Sequence, residues 1–147
     1  MLNEFAFEYL LFVFLTTLGA VQFTAARAGL GGLLFLRQWP RSTQYLAATL
    51  IVGAYLWFFF LSGPRNVPDT GDGLEGNTQA ALFAIGAAAA VAVTFIVSSA
   101  VNHAWGAAEE AAEPGQGPPP AGLGRLSRAT FARAFAARVR GLTREGR

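Results

Sequence analysis

Three stretches of this chain are long, apolar and nearly free of charge. They read "FAFEYLLFVFLTTLGAVQFTAA" (about 5–26), "YLAATLIVGAYLWFFFLS" (about 45–62) and "QAALFAIGAAAAVAVTFIVSSAV" (about 79–101). At about 1.5 Å per helical residue, each is long enough to cross a hydrocarbon layer about 30 Å thick or nearly so. In such a layer the backbone must satisfy its own polar groups, and a helix does so within one segment. The fold class expected is therefore an all-α integral membrane protein. It has three transmembrane helices and, after a linker, a C-terminal cytoplasmic amphipathic helix.

Composition agrees. Of 147 residues, 53% are hydrophobic and 14% charged, against about 25% charged in ordinary soluble domains. A cleavable signal peptide is the rival reading of the first run. Such a leader needs a basic start and a short apolar core. This run is long and carries Glu4 and Glu8 at its start.

The connections are distinct. "RAGLGGLLFLRQ" (27–38) is too short to cross and is expected to continue the first helix with a bend near Gly29 to Gly32, or to lie at the interface. Pro40 is expected to end that continuation, because proline cannot donate to the helix ladder. Residues 1–112 thus form the membrane domain. Residues 113–123, rich in Pro and Gly, form a linker, and residues 124–147 form the tail.

Charge is divided along the chain. The tail holds seven Arg and one Glu, a net of +6, and the rest holds four Arg and eight acids, a net of −4. Arg27, Arg37 and Arg41 lie between the first two runs with no acid among them. Arg65 lies between the second and third with Asp69, Asp72 and Glu75. Positive residues flanking spans stay on the cytoplasmic side. The expected topology places the N-terminus outside and the C-terminus in the cytoplasm. No lysine occurs, and Ala, Gly, Pro and Arg abound; we read this as GC-rich bacterial coding, hence a bacterial inner membrane. Aromatics fit interfacial belts: Tyr9, Trp57 and Phe58 to Phe60 outside, Trp39, Tyr45 and Trp105 inside.

A helix from about Ser127 would align Phe131, Phe135, Val139 and Leu142 as an apolar stripe. Arg125, Arg133, Arg140 and Arg144 fall on another sector, with Arg128 and Arg138 at the stripe's edges. A basic amphipathic helix of this kind suits an anionic lipid surface or an acidic protein surface. No aromatic stacking platform or nucleic-acid-binding fold is evident, so nucleic acid is not an expected partner.

Chemistry is largely excluded. The chain has no cysteine, one histidine and one methionine, which removes thiolate metal sites, disulfides and a bis-histidine haem within one chain. No cofactor is expected. His103 is the weak candidate for a haem or quinone shared with another subunit. Asp69, Asp72 and Glu75 are weak candidates for a cation, and their spacing is not that of an EF-hand loop. Glu8, inside a span, is a candidate for proton or substrate work. Gln22 and Thr24 are candidates for hydrogen bonds to a neighbouring helix. No catalytic set stands out, and the chain is not expected to be an enzyme.

In the third run, Ala80, Ala84, Ala88 and Ala92 recur every four residues, and Gly86 with Ala90 makes a parallel row. Small residues at this spacing allow close helix approach. Three spans offer few helix faces, so packing against other membrane subunits is expected. The function expected is a non-catalytic accessory or structural subunit of a multi-subunit inner-membrane complex, with respiratory and electron-transfer assemblies as the default class. The alternative is a homo-oligomeric small membrane channel or transporter.

Overall fold

A computed structural model describes residues 4–62, 74–102, 122–127, 129–133, 135, 136 and 139. Its elements are α1 (Glu4–Arg27), a short 3-10 turn (Gly31–Leu33), α2 (Pro40–Leu56) with a π-helical last turn (Trp57–Leu61), α3 (Gly76–Val101) and a second 3-10 stretch (Gly122–Ser127). Residues 131–133, 135, 136 and 139 are helical. No strand occurs among the described residues. α1, α2 with its π turn, and α3 are each long and apolar enough to cross a membrane.

The segment after α1 departs from the expected bent continuation. Gly29 has φ +69°, a left-handed conformation that costs an ordinary residue about 1–2 kcal/mol. The Leu30 amide donates to the Ala25 carbonyl at 2.9 Å and the Gly29 amide to that of Ala26 at 3.5 Å. These two bonds are those of a Schellman motif, which stops a helix by capping its last carbonyls. Leu30 completes the motif by packing on the apolar cluster that contains Ala25.

Pro40 begins a helix instead of ending one. It is the first residue of α2, where its missing N–H is one the helix leaves unpaired anyway and its fixed φ is already helical. Trp39 before it lies outside the helical region, with φ −129° and ψ 69°, in keeping with the bar that a following proline sets against helical backbone. α2 thus starts five residues before the apolar run.

α1 is the middle helix. Gly19 faces α2: a Cβ there would lie 2.7 Å from Ile51 Cγ1 and 3.0 Å from the Ala47 carbonyl. Gly86 of α3 faces α1: a Cβ there would lie 3.1 Å from both the Leu10 carbonyl and Val13 Cγ1. α2 and α3 scarcely touch each other among the described residues. The buried face of α3 is Leu82, Gly86, Ala90, Thr94 and Ser98, a strict four-residue repeat. Buried hydroxyls are held locally: Thr94 Oγ1 donates to the Ala90 carbonyl at 2.9 Å and Ser98 Oγ to that of Phe95 at 3.4 Å.

Small residues fill the helix contacts, and many large apolar ones point outward. Phe60 is 79% exposed and Leu61 78%, with Leu46, Val52, Phe83, Ile85 and Ile96 also open. In water this would leave a large apolar surface uncovered. The pattern is consistent with a multi-pass membrane protein.

Where α2 ends, aromatics converge on α1. The Phe12 and Phe58 rings stack at 4.4 Å, and Tyr55 meets Phe12 edge-on at 4.9 Å. Phe58 is buried, so it belongs to this packing and not to an interfacial belt. The Ser62 amide reaches back five residues to the Trp57 carbonyl at 2.8 Å, closing the π turn.

Candidate functional site

The opposite end of the bundle holds a loop, residues 28–39, irregular apart from its 3-10 turn, whose backbone needs partners. Irregular backbone near hydrocarbon is tolerated only where its polar groups are paired within protein. Side chains from all three helices supply those pairs. From α1, Gln22 Nε2 donates to the Leu33 carbonyl at 2.9 Å, and its Oε1 accepts from the Phe35 amide at 3.1 Å. At the end of α3, Asn102 Nδ2 donates to the Leu34 and Ser98 carbonyls, each at 2.9 Å. From α2, Thr43 Oγ1 lies within donating distance of the Leu36 and Trp39 carbonyls, at 3.2 and 3.1 Å. Three successive loop residues, 33 to 35, are thus held by two carboxamides.

Gln22 was expected to bond a neighbouring helix; it bonds this loop. Thr24 is exposed. Asn102 carries a role the sequence reading did not assign. The only available signal was a carboxamide at the end of an otherwise uncharged apolar run.

The segment after the linker packs on this loop. Leu126 is buried with Ala25, Ala26, Leu33 and Leu34, and Leu30, Phe95 and Phe131 rim the cluster. Gly32 is the close-approach point. A Cβ there would overlap the Ala129 carbonyl and lie 2.8 Å from that of Leu126. Phe131 stacks on Phe95 of α3, centroids 4.0 Å apart and planes 10° from parallel. The Ala132 amide donates to Ser99 Oγ at 3.3 Å, and Thr130 is buried.

Ser127 is not the expected helix cap. Its hydroxyl donates to the Gly124 carbonyl at 2.7 Å, inside the 3-10 stretch, and the described helical residues begin at Phe131. Of the expected apolar stripe, Phe131 turns onto α3, whereas Phe135 and Val139 are exposed. Arg133 is half-buried. Arg125 lies in the 3-10 stretch. Arg128, Arg138, Arg140, Leu142 and Arg144 lie outside the described residues.

The remaining candidates are scattered. Gly86 and Ala90 lie in the α1–α3 contact, while Ala80, Ala84, Ala88 and Ala92 are exposed on α3. Glu75 is exposed just before α3; Asp69, Asp72, His103 and Trp105 lie outside the described residues. Among the described residues no three His, Cys, Asp or Glu side chains gather as metal ligands would.

Among the described residues, charge is divided between the two ends. Glu4 and Glu8 begin α1 and Glu75 precedes α3, whereas Arg27, Arg37, Arg41 and Arg133 lie at the end with the loop. Compared with known protein families, curated proteins and solved structures, the chain matches none.

Proposed function

We propose that this chain is a non-catalytic accessory subunit of a larger bacterial inner-membrane complex, of the respiratory or electron-transfer kind. Its N-terminus faces outward and its C-terminus the cytoplasm. It contributes helix surface to partner subunits and a basic, partly amphipathic tail to the lipid surface or to an acidic partner. One observation supports this reading: α1 is covered on two sides, but the outer faces of α2 and α3 are left open by the described residues, apart from the end of α3 on which the C-terminal segment packs. The open face of α3 includes the small residues Ala80, Ala84, Ala88 and Ala92, at a spacing that favours close helix approach. The topology rests on the arginine bias between the first two spans and in the tail, read by the positive-inside rule.

Purification of the tagged full chain from its native membrane in mild detergent tests the proposal. Stoichiometric recovery with unrelated larger membrane subunits is expected. Recovery as a clean homo-oligomer that conducts ions in liposomes overturns it and favours the channel reading.

A further inference from the structure

α1 and α2 do not meet along their whole length. At Gly19 they touch, the missing Cβ leaving room for Ile51. Toward the loop they part around a cavity of about 120 Å³. Leu18 and Gly19 of α1 and Ala47 and Leu50 of α2 line it, and Phe35 of the loop closes it at the loop end. Leu36 and Leu46 stand at its rim, 40% and 58% exposed, so it opens on the outside of the bundle.

The walls are almost wholly carbon. Two buried polar side chains, Gln22 and Thr43, border the cavity. Their hydrogen bonds run to the loop backbone: Gln22 to Leu33 and Phe35, Thr43 to the carbonyls of Leu36 and Trp39. A resident water needs two to four polar partners, and walls of this kind do not supply them. An apolar cavity of about 150 Å³ stays dry and takes up benzene. The space between α1 and α2 is of that order, enough for a short run of methylenes.

Its depth follows from the helices. α1 has 24 residues, about 36 Å of helix against a hydrocarbon layer of about 30 Å. With α1 centred, Leu18 lies about 4 Å and Gln22 about 10 Å from the mid-plane, on the loop side. α2 with its π turn, 22 residues in all, gives the same result. Leu50 falls near the mid-plane and Thr43 about 11 Å from it. Half the hydrocarbon layer is about 15 Å, so the whole cavity lies within it. The medium at its mouth is the acyl chains of the loop-side leaflet.

We infer that this cavity is a binding site for one phospholipid acyl chain of that leaflet, seated between α1 and α2. An empty void forfeits the dispersion contacts of the atoms that face it. An acyl chain entering past Leu36 and Leu46 restores those contacts and strips no polar group of water. It braces Phe35 and Leu36, while Leu33 and Leu34 beside them hold Leu126 of the C-terminal segment. The site requires only that α1 and α2 span a membrane, and it stands apart from the accessory-subunit reading.

The test uses the purified protein in phosphatidylcholine vesicles doped with phosphatidylcholine that carries a photoreactive diazirine midway along one acyl chain. The vesicles are dissolved in mild detergent, loosely held lipid is washed away, and the sample is irradiated and digested for mass spectrometry. Lipid adducts on Leu18, Ala47 or Leu50 should survive the wash. Those on Val52, Ile85 and Ile96, which are exposed, should be lost. Unlabelled phosphatidylcholine added before irradiation should compete the surviving adducts away. No retained lipid, or loss from the lining residues to the same extent as from the exposed ones, overturns the inference.

Ala47→Leu extends a branched side chain into the cavity and should lose the adducts on Leu18 and Leu50. Before the wash it should keep those on Val52, Ile85 and Ile96. Leu18→Phe fills the cavity from α1 and should lose the adduct on Leu50, which keeps the test decisive if Ala47→Leu does not fold. Adducts on Leu50 at undiminished yield in a folded filled variant overturn the inference, because the acyl chain would then lie elsewhere.

Discussion

Phe131 lies flat on Phe95, with ring centroids 4.0 Å apart and planes 10° from parallel. The contact joins two residues separated by the whole linker and fixes the C-terminal segment to the side of α3. Phe131→Ala removes the stack and part of the apolar cluster around Leu126. A half-buried phenylalanine contributes less than a fully buried one, so a loss of about 2 kcal/mol in docking is expected. Hydrogen exchange at residues 124–139 should accelerate while α1 to α3 keep their protection.

Gly32→Ala should release the same segment without removing any contact. Its Cβ would overlap the Ala129 carbonyl, and a backbone atom cannot rotate away as a side-chain tip can. The loop's φ at Gly32 is not left-handed, so the substitution strains the docked state only. Limited proteolysis should cut the tail of Gly32→Ala at least as fast as that of Phe131→Ala. Unchanged cleavage would contradict the close approach.

Gln22 serves both a donor and an acceptor of the loop backbone. Gln22→Leu leaves the Leu33 carbonyl and the Phe35 amide without their partners, at a cost of about 1–3 kcal/mol for each group that stays buried. Thermal unfolding in detergent, followed by circular dichroism, should show a lowered midpoint. Thr24→Val, two residues further along α1 on an exposed position, should leave it within the measurement error.

The two faces of α3 should respond differently to the same change. Gly86→Val places branched carbons against Leu10 and Val13 and should destabilise the isolated chain by about 1–3 kcal/mol. Ala84→Val and Ala88→Val add the same bulk on the exposed face. They should leave the chain's own melting unchanged and weaken recovery of partner subunits. Native gels of membranes carrying each variant separate the two outcomes.

The spans are legible in the sequence because an uncharged run of this length has few other uses. The ends of the helices are less so. Pro40 is compatible with either a stop or a start, and only the tertiary position of α2 decides between them. Gly29 is visible as a glycine, but its left-handed turn depends on Leu30 finding the cluster around Ala25. In α3 both small-residue rows are present in the sequence. Which one meets α1 is set by the approach of Leu10 and Val13 to Gly86, which no local pattern encodes. Docking of Leu126, Ala129, Phe131 and Ala132 on Gly32, Phe95 and Ser99 is wholly non-local. The tail's own periodicity, which places Phe131 with Phe135, points to a surface but not to this one.

Topology is tested by a reporter active only in the periplasm, fused after Arg147. It should be inactive there and active when fused before Glu4.

The return of the C-terminal segment to the membrane domain is tested most directly by a disulfide. The Ala132 amide lies 3.3 Å from Ser99 Oγ, and the chain has no other cysteine to compete. Ser99→Cys with Ala132→Cys, and a protease site placed in the linker, should yield a tail fragment that stays attached after cleavage without reductant and separates with it. A pair that remains reduced under mild oxidation in native membranes, with the fragment released in both conditions, would contradict the docked tail.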